Sequence, residues 1–252
     1  MYRVLLYLNM NILTLKVGDK YGHEYVNRLY SGLFRNTTIP FKFYCLTEDN
    51  TGLLDAINVI PLVHDDKYVR QWYKLQLHNQ PQIEGKCLIL DIDYVVINNV
   101  DEILSWDLPR HTFGCNFRWW TKPKRQKVCP INGGFQMFWQ GDTNHLPTIY
   151  EQNPEFYRDI YYKLGQTNLG GGEQNFVHNH VKLDRSWLPS TWFGKYKEGS
   201  INKLNTRWCN FVPFYMNGKF HPDVKMVHFS DTDNMIENYK EPWLVDSWHS
   251  VH

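Results

Sequence analysis

The sequence lacks any apolar run that approaches the roughly 20 residues a bilayer crossing needs. It also lacks CxxC pairs, and its five cysteines, an odd number, argue against a disulfide framework and against a zinc knuckle. These absences favour a protein of a reducing compartment. We therefore expect a cytoplasmic protein without a transmembrane segment.

An excess of one charge is missing too. The chain has 27 Lys and Arg residues against 26 Asp and Glu residues, and its formal net charge is +1. This balance creates no general field for attracting polyanions, so we expect no nucleic-acid partner. Internal repeats, low-complexity tracts and linker-like stretches are also absent, and a length of 252 residues therefore predicts one domain over 1–252. The sequence does not indicate an oligomeric state.

Aromatic residues are abundant, with 10 Trp, 16 Tyr and 14 Phe. Trp187 and Trp192 flank Pro189 and fit neither the alternation of a strand nor the stripe of a helix. They either fill the core beneath a loop or form an apolar surface for a ligand. A tryptophan face packs well on the C–H groups of a sugar ring, so we expect these two residues to contact a carbohydrate acceptor.

Hydrophobic periodicity predicts alternating strands and helices. The run 87–90 is apolar without alternation, which is typical of a central parallel strand covered on both faces. We thus predict an α/β fold with a Rossmann-like, mostly parallel central sheet flanked by helices. The predicted strands are 3–8, 41–46, 57–62, 87–90, 112–115, 135–139 and 225–229, and the predicted helices are 21–34, 69–80 and 154–164.

Two acids follow the central strand directly. Asp91 and Asp93 stand at its carboxyl end, where open α/β sheets bind their ligands. Two carboxylates at this spacing can hold a hard cation that also ligates phosphate oxygens. Alternatively, one aspartate caps a helix and the other faces water.

Several segments resemble, in the same order, those of glycosyltransferase family 8, which contains glycogenin and bacterial galactosyltransferases, and of related GT-A enzymes. The resemblance implies a single GT-A domain with a nucleotide-binding half over about 1–115 and an acceptor-binding half over about 116–252. The segments are FKFYCLTED (41–49), CLILDIDYVVINNVDEIL (87–104), INGGFQMFW (131–139), GGGEQNFV (170–177), MVHFS (226–230) and KEPW (240–243).

The resemblance implies that Asp91, Asp93 and His228 bind a divalent metal, Mn²⁺ or Mg²⁺. The neutral imidazole of His228 suits manganese. Taken alone, a histidine such as His228 on an apolar strand is more often a residue of the core. The implied activity is transfer of a hexose or pentose from a nucleoside diphosphate sugar, with UDP as the default nucleotide, to a hydroxyl acceptor on a glycan or other molecule. The implied stereochemistry is retention.

Two lysines are candidates for the donor. By resemblance Lys240 contacts the diphosphate, but its distance from His228 is longer than the family's usual spacing, so Lys225 or Lys74 could substitute for it. Lys74 lies in a segment where related enzymes often place a basic residue near the donor. Its alternative is a solvated helix face.

The resemblance also places Asn132, Glu173 and Gln174 at the donor sugar. Gly133 and Gly134 would permit close backbone approach beside Asn132, or form an ordinary turn. Glu173 stands where the family usually has aspartate, and an acid at the start of a helix is also explained as a cap.

The nucleotide base is expected near the ends of the first two strands, around Asn9 and Thr47. Two other classes of function compete with the transferase. LILDIDYVV also fits the motif of haloacid dehalogenase-type phosphatases, with Asp231 and Asp233 as a second acidic pair, although that motif usually lies near the N-terminus. The Trp-rich loops also suit a noncatalytic carbohydrate-binding protein.

Overall fold

The computed structural model describes residues 10–166, 172–196, 215–216, 219–229, 236 and 242–249. Several predicted features fall outside these ranges. They are the strand at 3–8 and residues Asn9, Asp231, Asp233 and Lys240.

A large mixed sheet forms the centre of the fold. Its strands are β1 Met10–Lys16, β2 Phe41–Thr47, β3 Ile57–Pro61, β4 Lys86–Leu90, β6 Thr112–Phe117, β7 Ile131–Trp139 and β8 Asp184–Leu188. They lie in the order β3-β2-β1-β4-β7-β6-β8. The pairs β1–β2, β2–β3, β1–β4 and β6–β8 are parallel, whereas β7 is antiparallel to both β4 and β6. The predicted mostly parallel α/β sheet is confirmed, and β4 is its buried middle strand.

A small sheet joins three segments that are distant in sequence. It consists of β5 Tyr94–Val96, β9 Phe193–Tyr196 and β12 Met226–Phe229, with β12 in the middle. β12 is antiparallel to β5 and parallel to β9, which sets His228 opposite both Tyr94 and Lys195. Two short strands lie between β9 and β12 in sequence. They are β10 Tyr215–Met216 and β11 Lys219–Phe220, and they form an antiparallel pair.

Helices cover both faces of the large sheet. The α-helices are α1 His23–Arg35, α2 Asp101–Leu104, α3 Pro123–Val128, α4 His145–Gln152, α5 Pro154–Gln166 and α6 Glu173–His180, and a short helix Pro242–Leu244 continues into a π-helical turn Val245–His249. The segments Arg70–His78 and Ser190–Trp192 are 3₁₀ helices. In the described part of the chain, none of the helices has the length and apolarity to span a bilayer.

Alternate residues of β4 enter two separate cores. Leu88 and Leu90 pack with α1 and the small sheet, while Cys87 and Ile89 pack with the 3₁₀ helix Arg70–His78 and with α4, α5 and α6. This alternation follows from the pleat, because successive side chains of a strand point to opposite faces. The segment that follows β4 therefore begins between these two cores.

The structure corrects three details of the prediction. No strand is predicted over 10–16, but these residues form β1, because the apolar run continues through Met10–Lys16 and pairs with β2 and β4. The helix predicted over 69–80 is a 3₁₀ helix. Gly133 and Gly134 lie inside β7 and not in a turn before it, since β4 and β6 pair with this strand on both sides.

Candidate metal centre

Asp91 and Asp93 are fixed by a tight turn between the two sheets. The Asp91 amide donates to the Gly134 carbonyl at 3.0 Å, and the Tyr94 amide donates to the Asp91 carbonyl at 3.3 Å. Asp91 continues the alternation of Cys87 and Ile89 and so faces the 3₁₀ helix Arg70–His78. Asp93, past the turn, faces the small sheet.

His228 reaches the same place from β12. Its ring stacks on the Tyr94 ring, with centroids 4.6 Å apart and planes 16° from parallel. The Phe229 amide donates to the Asp93 carbonyl at 2.9 Å, which ties the backbones of the two segments together. The register of the small sheet therefore brings the imidazole beside the acids, although more than 130 residues separate them in sequence.

Asp91, Asp93 and His228 form what we call the acid–histidine cluster, in which one ligand atom from each lies within 4.8 Å of the others. His228 Nε2 lies 3.2 Å from Asp93 Oδ1, without the geometry of a hydrogen bond. Asp93 Oδ1 is buried and has no hydrogen-bond partner among the residues that the structure describes. A buried, unpartnered carboxylate oxygen is costly, and a cation would satisfy it. The donor set therefore fits a divalent metal.

The charge states of the cluster also suit a metal. Burial lowers the pKa of His228, and the nearby Lys195 ammonium lowers it further, which favours the neutral imidazole that coordination requires. Burial alone would raise the pKa of Asp93, but His228 and the lysines Lys195 and Lys74 outweigh burial and lower it. Burial thus favours the neutral form of His228, and the neighbouring lysines favour the ionised form of Asp93.

Lys74 is buried against the other acid. Its Nζ lies 2.5 Å from Asp91 Oδ1 and 3.6 Å from Glu173 Oε2, and it also donates to the Gly133 carbonyl at 3.3 Å. Burial by itself would lower the pKa of Lys74, but Asp91 and Glu173 outweigh burial and raise it. The interpretation of Lys74 as part of a solvated helix face is wrong, because the 3₁₀ helix turns this residue toward the sheet.

Glu173 opens α6 but does not cap it. The cap residue is Gly172, with a φ of 73°, and among the described residues no side chain forms a cap hydrogen bond there. The Glu173 carboxylate is 3% exposed and accepts a hydrogen bond from Gln136 Nε2 at 3.0 Å. Burial raises the pKa of Glu173 more than Lys74 lowers it. The carboxylate belongs to the polar interior behind Asp91.

Asn132 lies inside the site and is 3% exposed. Its Nδ2 donates to the Tyr94 hydroxyl at 2.5 Å and lies 3.4 Å from His228 Nδ1. Its Oδ1 accepts from the Gly134 amide at 3.2 Å. Asn132 therefore links β7 to the stacked Tyr94 and His228 rings.

The two glycines of β7 allow other side chains to approach the backbone. A Cβ on Gly134 would lie 2.7 Å from Asp91 Oδ2, and one on Gly133 would lie 2.4 Å from Gln174 Cβ. The Gly133 amide also donates to Gln174 Oε1 at 3.3 Å. Only glycine leaves room for Asp91 and Gln174 where they stand, because real Cβ atoms essentially never come this close to a neighbour.

Comparison with known proteins adds the fold type. No family model and no curated protein matches the sequence. Solved structures do match. An active-site mutant of LgtC has a TM-score of 0.58 at 13% identity over 88% of both chains. The galactosyltransferase LgtC in complex with donor and acceptor sugar analogs has a TM-score of 0.54 at 12% identity, over 88% of this chain and 87% of that one. Mouse xyloside xylosyltransferase 1 has a TM-score of 0.52 at 14% identity, over 90% of this chain and 99% of that one.

The chain has the GT-A fold. At these identities the likeness is one of architecture, and it agrees with the resemblance to family 8 in the sequence. The acid–histidine cluster lies at the carboxyl end of the middle strand of this fold, where α/β sheets bind their ligands.

Of the two residues predicted to lie near the base, Thr47 belongs to the described part of the chain. Thr47 is buried at the carboxyl end of β2, and its hydroxyl donates to the Asp49 carbonyl at 3.0 Å. The carboxyl end of β1 is Lys16, which pairs with Thr47. Asn9 lies outside the described residues.

The lysines considered as contacts of the diphosphate differ in their positions. Lys225 Nζ lies 2.5 Å from Glu102 Oε2 and 3.2 Å from the Asn99 carbonyl. Lys225 directly precedes β12, so these contacts lie at the end of the strand away from His228. Lys240 is outside the described residues. Of the three lysines considered, the structure places Lys74 at the cluster.

Sequence reasoning missed Lys195. This residue of β9 is 2% exposed, with its Nζ 3.0 Å from His228 Nδ1 and 5.3 Å from the centre of the Trp120 ring. The available signal was a lysine inside the apolar segment FGKY, because a buried ammonium requires a partner. Its partner could not be read from the sequence, since it lies on another strand.

The two tryptophans proposed for an acceptor differ in exposure. Trp187, on the edge strand β8, is 42% exposed and touches Phe117 edge to face. Trp192 is half-buried, packs against the Trp106 ring at 5.7 Å and lies under the ammonium of Lys225. Of the two, Trp187 has the free surface that stacking on a sugar needs.

Proposed function

We propose that the protein is a metal-dependent glycosyltransferase that moves a sugar from a nucleoside diphosphate sugar, with UDP as the expected nucleotide, to a hydroxyl acceptor with retention of configuration. One observation carries the proposal. The acid–histidine cluster stands at the carboxyl end of the middle strand of a GT-A sheet and contains a buried carboxylate oxygen, Asp93 Oδ1, that accepts no hydrogen bond from the described residues.

Asp91, Asp93 and His228 would hold the metal. A divalent cation bound there supplies positive charge to the departing diphosphate. The imidazole nitrogen in the set favours Mn²⁺ over Mg²⁺, which prefers an all-oxygen shell. Lys74 meanwhile orients Asp91 through the contact of its buried ammonium with Asp91 Oδ1.

Side chains around the cluster would bind the donor. Lys195 adds a second buried ammonium, and a fixed positive charge stabilises the negative charge that develops on a leaving phosphate. Lys240 remains the diphosphate contact that the sequence resemblance implies. Asn132, Glu173 and Gln174 are proposed to act at the donor sugar. Asn132 lies in β7 beside the cluster and Gln174 accepts from the Gly133 amide, whereas Glu173 is buried behind Asp91 and would act through Lys74.

The chain is proposed to act as one domain with two working parts. The carboxyl ends of β1, β2 and β4 converge on one edge of the large sheet and suit the nucleotide. The later segments are left for the acceptor. The complex of LgtC with donor and acceptor sugar analogs supports this two-substrate arrangement.

A panel of nucleotide sugars tests the function. We expect nucleoside diphosphate release from at least one of them with Mn²⁺ or Mg²⁺, none in chelator, and a raised melting temperature with the accepted donor, since a ligand that binds the folded state stabilises it. Full activity in chelator would contradict the metal-dependent mechanism. Phosphate release from simple phosphoesters would instead support a phosphatase, and metal-independent glycan binding without turnover would support a carbohydrate-binding protein.

A further inference from the structure

A line of buried polar side chains leads from Asp91 into the core. Beyond Lys74 and Glu173 it passes through residues that neither the sequence analysis nor the proposed mechanism uses. Gln136 Nε2 lies 3.0 Å from Glu173 Oε1, His78 Nε2 lies 3.0 Å from Gln136 Oε1, and Thr143 Oγ1 lies 3.1 Å from His78 Nδ1. We call Thr143, His78, Gln136, Glu173 and Lys74 the buried polar chain. Its first three members are 0% exposed.

The direction of each hydrogen bond in the buried polar chain follows from its acceptors. Gln136 Nε2 faces the Glu173 carboxylate and, at 2.8 Å, the Gly133 carbonyl, and both can only accept from it. The amide oxygen of Gln136 therefore faces His78, whose Nε2 must carry the proton. His78 Nδ1 then accepts from the Thr143 hydroxyl. Burial lowers the pKa of His78 to about 3, in accord with a neutral ring.

The buried polar chain ends in a lysine that two acids share. Lys74 Nζ lies 2.5 Å from Asp91 Oδ1 and 3.6 Å from Glu173 Oε2. The position of the Glu173 charge therefore bears on where the ammonium settles and, through it, on the orientation of Asp91. Gln136 fixes Glu173 by donating to it, and His78 fixes Gln136 by occupying its oxygen.

We propose that His78 and Gln136 are positioning residues that hold the Glu173 carboxylate against Lys74 and thereby preset Asp91 for the metal. The inference rests on the proposed function for its activity readout, whereas metal binding tests it directly. Partners that orient metal ligands from outside commonly change affinity by about 10 to 100-fold when they are removed.

An exchange of two groups tests the inference. In Gln136→Glu, two carboxyl groups face each other and the donation to Glu173 is lost. The double variant Gln136→Glu/Glu173→Gln restores one amide and one carboxylate but moves the charge away from Lys74. Binding of Mn²⁺ alone is measured by electron paramagnetic resonance, together with the melting temperature and nucleoside diphosphate release.

We expect Gln136→Glu to lower the melting temperature and to raise the Kd for Mn²⁺ by about 10 to 100-fold. The double variant should regain the melting temperature but not the affinity, because its charge stands at the wrong end of the pair. Thr143→Val, which removes the donor to His78, should weaken Mn²⁺ binding by a few-fold. Thr121→Val, which removes a buried hydroxyl that bonds the Arg118 carbonyl, is the matched control and should leave Mn²⁺ binding unchanged.

Recovery of both properties in the double variant would show a structural role only and overturn the inference. Unchanged Mn²⁺ affinity in Gln136→Glu, or a wild type that does not bind Mn²⁺, would overturn it as well. A wild type that binds Mn²⁺ and responds to these substitutions as expected, but turns over no sugar nucleotide, would overturn the proposed function and leave the positioning role standing.

Discussion

The two acids of the acid–histidine cluster are neighbours in sequence but have opposite surroundings. Asp91 faces the large-sheet side, where Lys74 lies 2.5 Å away and Glu173 stands behind it. Asp93 faces the small-sheet side, where His228 Nε2 is 3.2 Å away and Asp93 Oδ1 has no hydrogen bond from any described residue. The protein itself satisfies the first carboxylate and leaves the second for a ligand.

This contrast separates stability from function. An ion pair that is already made contributes to the folded state before any ligand arrives, whereas an unpartnered buried oxygen costs free energy until a ligand satisfies it. The large-sheet side is therefore preorganised, and the small-sheet side is where binding energy would be gained. Isosteric substitutions of the two acids test whether the two sides differ in this way.

The largest expected effect is on turnover. Asp91→Asn and Asp93→Asn should each lower metal-dependent transfer by about 10² to 10³-fold, because the diphosphate loses charge stabilisation in the transition state. Steady-state kinetics with a saturating donor measure the loss. Near wild-type turnover in either variant would remove that residue from the metal site.

The same pair should differ in stability. Asp91→Asn weakens the partner of a buried ammonium and should cost about 1–3 kcal/mol of unfolding free energy. Asp93→Asn removes a charge that His228 and Lys195 still attract, but its Oδ1 accepts no hydrogen bond from a described residue, so it should cost less stability than Asp91→Asn in the metal-free protein. Denaturant unfolding in chelator measures both. Equal destabilisation by the two variants would contradict the comparison.

The next effect is on metal affinity. His228→Ala should raise the Kd for Mn²⁺ by about 10 to 100-fold, or more for a direct ligand. Because His228 lies on the ligand-dependent side, the loss of affinity should exceed the loss of stability. His64→Ala, at an exposed position, is the control. A destabilised His228→Ala protein with an unchanged metal requirement would assign His228 to the core.

The local part of this site could be predicted from the sequence. Asp91 and Asp93 follow an apolar run directly, and the carboxyl end of a buried strand is a ligand position whatever the rest of the chain does. The α/β class could also be predicted from local sequence, because hydrophobic periodicity is visible in short windows. Both predictions needed only neighbouring residues.

The environment of the acids could not be predicted in this way. Lys74 looks like a residue of a solvated helix, and Lys195 like any lysine, until β9 and β12 pair and the 3₁₀ helix docks on the sheet. Gly133 and Gly134 resemble a turn until two strands pair with them. Long-range pairing decides all of these, and it is absent from any short window of sequence.

A glycine tests how closely the preorganised side is packed. Gly134→Ala places a Cβ 2.7 Å from Asp91 Oδ2, so it should cost about 1–3 kcal/mol of stability and displace the carboxylate. Mn²⁺ affinity should fall with it. Gly32→Ala, whose Cβ would lie 3.4 Å from the Val96 Cβ, is the control and should be tolerated. Equal behaviour of the two variants would show that Asp91 has room to move.

The dependence of stability on pH tests His78, which belongs to the buried polar chain on the large-sheet side. Burial lowers the pKa of His78 to about 3. The unfolded chain then binds a proton that the folded chain does not, so stability should fall as the pH drops from about 6.5 towards 3, by about 1.4 kcal/mol per pH unit from this group. Urea unfolding at several pH values should show a shallower slope for His78→Gln. An unchanged slope would mean that His78 is protonated in the folded protein.

The smallest expected effect lies away from both sides, at the acceptor. Trp187 is 42% exposed on the edge strand β8, whereas Trp192 packs on Trp106. Stacking of a sugar ring on an exposed aromatic face is worth roughly 1 kcal/mol, so Trp187→Ala should raise the acceptor KM by up to about 10-fold and leave slow donor hydrolysis unchanged. Trp192→Ala should instead lower the melting temperature, because it removes packing.

The sequence predicts that both tryptophans contact the acceptor, and these outcomes test that prediction separately for Trp187 and Trp192. Acceptor titrations at fixed donor, with donor hydrolysis measured in the same preparations, distinguish a binding effect from a general loss of active protein. If donor hydrolysis falls in parallel with transfer in Trp187→Ala, the residue supports the fold and the acceptor lies elsewhere. If Trp192→Ala keeps its melting temperature while the acceptor KM rises, the half-buried ring is the one that meets the sugar, and exposure in the free protein is a poor guide to the acceptor surface.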